Sequence, residues 1–478
     1  MSANLDALRQ AYDTKSFVEV AQKLIVQLAE SVQKSMLKQR EEVIPFVEAN
    51  DFWETGIQTD PDNPMSIFEA VEAQSIRLHH PRYLGHQIAP VVPMVSLAGF
   101  ATMLLNNGMG TYEMGMAGTI MEREVLDIVS QAIGYEDDAS GIMTSGGTLA
   151  NLTALLAARQ VQSDHDIWED GYQDGERMAI MVSAEAHYSV QRAVKIMGWG
   201  EKGIIKIPVD DAFRLRPEKL SDALEQARKD GLKVIAVVGS ACSTATGSFD
   251  PLDEIAAFCE AEKLWFHVDA AHGGPAVFSP TYCSLLKGIE KADSVLMDFH
   301  KMALCPALCT ALIFKNGQNS YKTFAQKAAY LWEDPSEQEW HNLGRRTFEC
   351  TKQMMSLAPF ILFRQFGPEL LGTYVETMFE LGHAFGERIV EQADFELLID
   401  PACNIVCFRY APDICPDLNV LNRSIRVKLR DGKRFYIVQT DVAGQLYLRC
   451  ALMNPFTEID DLQALLDEIR TIGEGLFG

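Results

Sequence analysis

The chain has 478 residues, 47% of them apolar and 23% charged, with a formal net charge of −24. That length suits two or three packed units rather than one, and the composition is that of a globular protein rather than a disordered one. So acidic a chain is a poor partner for nucleic acid or an anionic membrane surface, while a small substrate in a locally basic pocket stays open.

The opening stretch, MSANLDALRQAYDTKSF, has no apolar core and carries Asp6 and Asp13, so no signal peptide is expected. Residues about 14 to 48 predict an amphipathic helix, because Phe17, Val20, Ala21, Leu24, Ile25 and Leu28 recur at helical spacing. From about 50 to 90, Pro61, Pro64 and Pro81 break the pattern. Residues 88–105, IAPVVPMVSLAGFATMLL, carry no charge. Their length touches the lower limit of a membrane span. Pro90 and Pro93 stand near the start, however, and no other stretch resembles a span, so a helix buried in a core or at a subunit interface is expected.

From about 95 to 355, short apolar strands alternate with helices and loops. GIMTS (141–145) runs into Gly146, Gly147 and a helix through Arg159. RMAIMVSA, GIIKIPV, VIAVVGSA, LWFHVDAA, SVLMDF and TALIFK follow as strands. This alternation predicts an α/β unit with a mostly parallel sheet. From about 356 the chain reads as a helical run to about 392, the strand NIVCFRYA, the helix LNVLNRSIRVKLR, the strand pair FYIVQT and LYLRCALM, and a last helix. Thr457 and Asp460 match a capping box for that last helix. The expected division is an N-terminal helical segment over 1–94, a large α/β domain over 95–355 and a small α+β domain over 356–478. The ten cysteines are scattered and form no CxxC pair, which argues against a zinc site or a disulfide framework and for a reducing, cytoplasmic setting.

Four segments carry chemistry. In TSGGTLANLTALLAAR (144–159) a strand runs through Gly146, Gly147 and Thr148 into a helix. Glycines let a phosphate approach the backbone, and the helix N-terminus offers free N–H groups. In SAEAHYSVQRAVKIMG (183–198), His187 follows a strand and opens a helix. In HVDAAHGG (267–274), Asp269 ends a strand, where α/β sheets bind ligands. In SVLMDFHKMALCPALC (294–309), His300 and Lys301 follow another strand end. Apolar neighbours (Met302, Ala303, Leu304 and Cys305) are expected to lower the pKa of Lys301 and free its amine to attack a carbonyl. Taken singly, each has an ordinary structural reading: a tight turn, a satisfied histidine, a capping aspartate, a surface lysine. Together and in this order they supply what pyridoxal 5′-phosphate needs, namely an amine for its aldehyde, an anion for its ring nitrogen and donors for its phosphate.

These motifs resemble those of the group II pyridoxal-phosphate-dependent decarboxylases, a family that includes glutamate, cysteine-sulfinate, aspartate, aromatic and diaminobutyrate decarboxylases. HVDAAHGG is similar to the family's HVDAAxGG, ADSVLMDFHKM to ADSVxxxxHKx, and AHYSVQRA to HYSxxKA. The resemblance runs from about HHPRYLGHQ (79–87) to LRCALMNP (448–455). It implies a PLP-transferase type I, aspartate-aminotransferase-like large domain and a homodimer with shared active sites. It implies that Lys301 is the Schiff-base lysine, that Asp269 pairs with the pyridinium nitrogen, and that His187 stacks on the ring. Gly146, Gly147, Thr148 and His300 would hold the phosphate, with Thr244 near the ring. Arg449 of LYLRC would meet the substrate carboxylate. Tyr330 of AAYLWED would protonate Cα after CO2 leaves.

The sequence departs from the pattern at His272, where glutamate-type enzymes carry an aromatic, and at Asp298–Phe299, where Asn-Pro or Asp-Pro is common. LGHQ (84–87) differs from the FNQL of glutamate decarboxylases, which puts His86 and Gln87 forward as substrate-binding candidates. NNGMGTYEMGMAGTIMEREV (106–125) resembles the glutamate and cysteine-sulfinate branch. The expected reaction is α-decarboxylation of a small acidic amino acid: aspartate, glutamate or cysteine sulfinate. Diaminobutyrate or an aromatic amino acid remains an alternative. So do an aldehyde-forming enzyme of the same family, against which Tyr330 speaks, a carbon–sulfur or carbon–carbon lyase, and a non-enzymatic interaction protein.

Overall fold

Seven mostly apolar segments form one sheet because each is rich in β-branched and aliphatic residues, and all but the edge strand Ile204–Ile207 are buried along nearly their whole length, as a mostly parallel sheet requires. They are β1 (Ser140–Thr144), β2 (Met178–Ser183), β3 (Ile204–Ile207), β4 (Lys233–Ser240), β5 (Trp265–Asp269), β6 (Ser294–Asp298) and β7 (Thr310–Phe314). All seven coincide with the strands expected from sequence. The computed structural model describes residues 2–324, 339–413 and 415–476. The sheet order is β1-β7-β6-β5-β4-β2-β3. Strands β2 to β6 run parallel, and β7 is antiparallel to both β6 and β1. The C-terminal ends of β1, β2, β4, β5 and β6 therefore share one edge.

The chain divides into two compact units. Unit 2 is Gln87–Glu387 with Leu397–Cys407, and it contains this sheet. Its core lies where Ile142, Ile180, Val182, Val238, Trp265, Leu296 and Phe314 from the sheet meet Ala154, Leu155, Val190 and Val194 from the helices Gly147–Val161 and Tyr188–Ile196. Unit 1 is Met1–His86 with Arg388–Glu396 and Phe408–Gly478. Within it, β10 (Val438–Val442) and β11 (Gln445–Ala451) form an antiparallel pair. A second, four-stranded sheet has the order β10-β11-β9-β8, with β8 at Phe395–Leu397 and β9 at Ile405–Tyr410.

Three expectations shift. The first long helix is Thr14–Met36 and stops well before residue 48, with Lys38 in the left-handed region at φ 55°. The capping box of the last helix, Ile459–Gly475, is made by Glu458 and Asp461, one residue beyond Thr457 and Asp460. The uncharged run folds as the thirteen-residue helix Pro93–Leu105, too short to cross a bilayer. Within one chain only its Val95 and Ala98 face is buried, while Met103, Leu104 and Leu105 are more than half exposed. Among the described residues, no helix is long and apolar enough to span a membrane.

Candidate active site

The shared strand edge of unit 2 opens on a cavity of about 210 Å³. Its lining includes Gly146, Gly147 and Thr148 after β1, His187 after β2, Cys242 and Thr244 after β4, Asp269 at the end of β5, and Asp298, His300 and Lys301 at the end of β6. All seven cofactor-binding candidates of the sequence reading that are not Lys301 itself meet it there, in one place. Gly146 turns the chain at φ 118°, a conformation side chains rarely adopt, and its carbonyl then starts the helix Gly147–Val161. Gly147 leaves room for a neighbour: a Cβ there would stand 3.3 Å from both Asp298 carboxylate oxygens.

Asp269 is buried and acts as an acceptor only. Its Oδ1 takes the Ala271 N–H at 3.2 Å and its Oδ2 takes Asn151 Nδ2 at 2.8 Å. His187 caps its own helix, with Nδ1 accepting from the Ser189 backbone N–H at 3.3 Å. Desolvation holds its pKa below the ordinary histidine value, against the pull of the Asp269 charge and with that of Lys301.

Lys301 corrects the sequence reading. Its apolar neighbours do desolvate the amine, and that alone lowers its pKa. The opposing effect wins: Asp298 Oδ2 lies 2.8 Å from Nζ, and the net shift is upward from the ordinary lysine value. Asp298 is itself anchored by the Thr310 hydroxyl, and its Oδ2 is 3.7 Å from His300 Nε2. His300 Nδ1 lies 3.0 Å from the Cys309 carbonyl. Sequence reasoning passed over Asp298 as a family departure and did not single out Asn151. Both sit inside motifs already quoted, three residues before Lys301 and one turn after Gly147.

The substrate candidates lie elsewhere in the chain. Arg449 is on β11 in unit 1, buried, and among the described residues its Nε and Nη2 have no hydrogen-bond partner. His86, also in unit 1, places Nε2 3.1 Å from the Tyr436 hydroxyl. Desolvation, then Arg449 and Arg426, push its pKa below the ordinary value. Gln87, in unit 2, has a buried Nε2 without a partner among the described residues. Tyr330 lies outside the described residues.

An amine, an acceptor-only carboxylate and a glycine-opened helix N-terminus around one cavity fit the aldehyde, ring nitrogen and phosphate of pyridoxal phosphate. Fold and site together define a pyridoxal-phosphate enzyme with the aspartate-aminotransferase-like architecture. Residues 58–411 match the model of the pyridoxal-dependent decarboxylase conserved domain, and the chain belongs to that family. It is similar to human acidic amino acid decarboxylase GADL1, at 29% identity over 87% of this chain and 82% of that protein. It is similar to aspartate 1-decarboxylase of Aliivibrio fischeri, at 30% identity over 86% of this chain and 84% of that one. Among solved structures, the glutamate decarboxylase domain of a diaminobutyrate-pyruvate transaminase and L-2,4-diaminobutyrate decarboxylase from Vibrio parahaemolyticus superposes with a TM-score of 0.84. It is 26% identical, with 96% of each chain covered. The protein is a pyridoxal-phosphate-dependent amino-acid decarboxylase.

Proposed function

We propose that this enzyme decarboxylates a small acidic L-amino acid (aspartate, glutamate or cysteine sulfinate) to the amine and CO2. The observation that carries the site assignment is the convergence of Lys301, Asp269, His187, Thr244, His300 and the Gly146–Thr148 turn on one cavity. Bound there, pyridoxal phosphate supplies the electron sink for the Cα–carboxylate bond. Lys301 holds the aldehyde and returns to it after each turnover. Asp269 presents a fixed anion to the ring nitrogen. His187 flanks the ring. The N–H groups at the start of the Gly147 helix, with Thr148 and His300, hold the phosphate. Arg449 meets the substrate carboxylate, His86 and Gln87 shape its recognition, and Tyr330 delivers the proton to Cα.

The acidic substrate class is supported by the named activities of the human and Aliivibrio relatives and by the two unsatisfied nitrogens of buried Arg449. A diaminobutyrate substrate is the second reading, favoured by the Vibrio neighbour. The exposed apolar side chains of Phe100, Met103, Leu104 and Leu105 on the helix Pro93–Leu105 support a homodimer, because monomers seldom leave such a stripe open. The acidic net charge and dispersed cysteines support a cytoplasmic setting without nucleic-acid or membrane partners.

A panel of amino acids assayed for CO2 and amine tests the reading. Turnover is expected with aspartate, glutamate or cysteine sulfinate, and none with Lys301→Ala. Preference for diaminobutyrate or an aromatic amino acid would overturn the substrate class. Cofactor bound covalently by Lys301→Ala would overturn the lysine's role.

A further inference from the structure

From behind the cavity to its lining, seven side chains of unit 2 form a continuous hydrogen-bonded chain. Trp265 Nε1 lies 3.0 Å from Ser294 Oγ. Ser294 Oγ lies 2.8 Å from His267 Nδ1, and His267 Nε2 lies 2.9 Å from Asn151 Oδ1. Asn151 Nδ2 then branches, reaching Asp269 Oδ2 at 2.8 Å and Ser189 Oγ at 2.9 Å. Ser189 Oγ lies 2.7 Å from His187 Nδ1. Trp265, Ser294, His267, Asn151 and Ser189 are all buried, so each of their polar groups needs a hydrogen-bond partner.

The direction of every proton follows by elimination. Asp269 can only accept, so Asn151 must turn its NH2 toward it and its carbonyl toward His267. His267 Nε2 must then carry a hydrogen. Burial pushes the His267 pKa down to about 4, so the ring is neutral near pH 7 and Nδ1 is bare. The Ser294 hydroxyl donates to that nitrogen and itself accepts from Trp265, which can only donate. The alternative tautomer, with Nδ1–H directed at the Ser294 carbonyl 3.2 Å away, sets a lone pair of Nε2 against the Asn151 carbonyl. Flipping the amide instead sets its oxygen against the Asp269 carboxylate. On the other branch, Ser189 Oγ accepts from Asn151 and spends its own proton on His187 Nδ1. The Ser189 backbone N–H points at the same nitrogen. His187 is thereby fixed with its proton on Nε2.

We propose that Ser294 and His267, which line no part of the cavity, act through Asn151 as positioning residues. They set both the tautomer of His187 and the orientation of the Asp269 carboxylate for the cofactor ring. One hydroxyl at the start of β6 thus orders the two groups assigned to opposite tasks at the ring. This inference rests on the cofactor roles given above to His187 and Asp269.

The test uses the full-length protein with Ser294→Ala, and with Ser294→Cys, which is close in size and a weaker donor. Two quantities are read: the equilibrium affinity for pyridoxal phosphate, and the type of each ring nitrogen of His187 by 15N NMR of the unloaded protein. Loss of one buried hydrogen bond of about 1–1.5 kcal/mol corresponds to roughly tenfold in affinity. We expect about that loss in Ser294→Ala, a smaller loss in Ser294→Cys, and a shift of His187 from a single Nε2–H form to a mixture. Wild-type affinity with an unchanged His187 tautomer in either variant would overturn the relay. So would weakened affinity with that tautomer unchanged, since the loss would then come from packing. Failure of the wild-type protein itself to bind pyridoxal phosphate would instead overturn the site assignment beneath it.

Discussion

Strand β1 lies at the edge of the large sheet, and among the described residues its outward backbone groups have no neighbouring strand. Two side chains take that place. The Met143 N–H donates to Glu122 Oε1 at 2.8 Å, and Lys352 Nζ donates to the Met143 carbonyl at 2.6 Å. Lys352 also meets Glu122 Oε1 at 2.6 Å, and the two side chains are only 2% and 1% exposed. At an effective dielectric constant of about 20, such a pair attracts by roughly 6 kcal/mol, most of it offset by the desolvation of both charges. Removing one partner forfeits the attraction and keeps the other's desolvation cost. Lys352→Met is therefore expected to lower stability by about 3–5 kcal/mol. Adding Glu122→Gln removes the stranded charge and should recover part of that loss. The remainder should be about 1–3 kcal/mol for the orphaned Met143 carbonyl. Equilibrium urea unfolding of wild type, both single variants and the double variant completes the cycle. A Lys352→Met cost below about 1 kcal/mol, or a double variant less stable than Lys352→Met alone, would refute the edge-capping argument. Because β1 leads directly into Gly146 and Gly147, cofactor affinity should fall together with stability.

Three further outcomes are expected. Asp298→Asn removes the charge 2.8 Å from Lys301 Nζ and should lower the pKa of that amine, shifting its condensation with pyridoxal phosphate in unloaded protein to lower pH; an unmoved pH profile would count against the pairing. His267, neutral in the fold with a pKa pushed to about 4 by burial, contributes stability that is complete above about pH 6.5 and lost as pH falls toward 4. The loss is up to about 3 kcal/mol, at roughly 1.4 kcal/mol per unit. Buried Asp250, raised to about 6, acts with the opposite sign between about pH 4 and 6, so the readout is the flatter acid limb of His267→Gln relative to wild type. Tyr330→Phe should divert products from amine toward aldehyde and ammonia, and an unchanged amine yield would remove Tyr330 from the proton-delivery role.

The strands of the large sheet were legible because each is a short run of β-branched and aliphatic residues bounded by glycine, polar or helical segments, and burial on both faces of the inner strands leaves little other use for such runs. The chemistry was legible for a related reason. Asp269, His300 and Lys301 stand at or just past strand ends, on the edge where α/β sheets commonly bind ligands. What could not be read were effects set by direction. Lys301 has apolar sequence neighbours, yet the group that governs it is Asp298, brought beside it by the turn after β6. Asn151 reads as one more polar residue in a helix until the fold shows it facing both Asp269 and His267. The last helix begins one residue late because Glu458 and Asp461 can exchange both capping bonds there.

The same logic explains why the cofactor is easier to read than the substrate. A cofactor with an aldehyde, a ring nitrogen and a phosphate needs three kinds of partner at fixed spacings, and one sheet edge brings candidates for all three together from the ends of β1, β2, β5 and β6. Each turn constrains its neighbours, so the motifs reinforce one another. The residues proposed to meet the substrate, His86, Gln87 and Arg449, are single positions on one loop and one strand, each free to change without disturbing the large sheet. Their meaning depends on protonation and unsatisfied hydrogen bonds rather than on order in the chain. Arg449 shows the point: in sequence it is one arginine in a strand, while in the fold it is a buried cation with two nitrogens that have no hydrogen-bond partner among the described residues. An arginine held dry in that way costs stability unless an anion joins it. Discrimination between an acidic and a basic substrate should accordingly move more with Arg449→Met than with any change at the cofactor's strand edge. That variant is expected to raise KM for the acidic substrate by at least tenfold while leaving affinity for pyridoxal phosphate within about twofold. An unchanged KM would detach Arg449 from substrate recognition altogether.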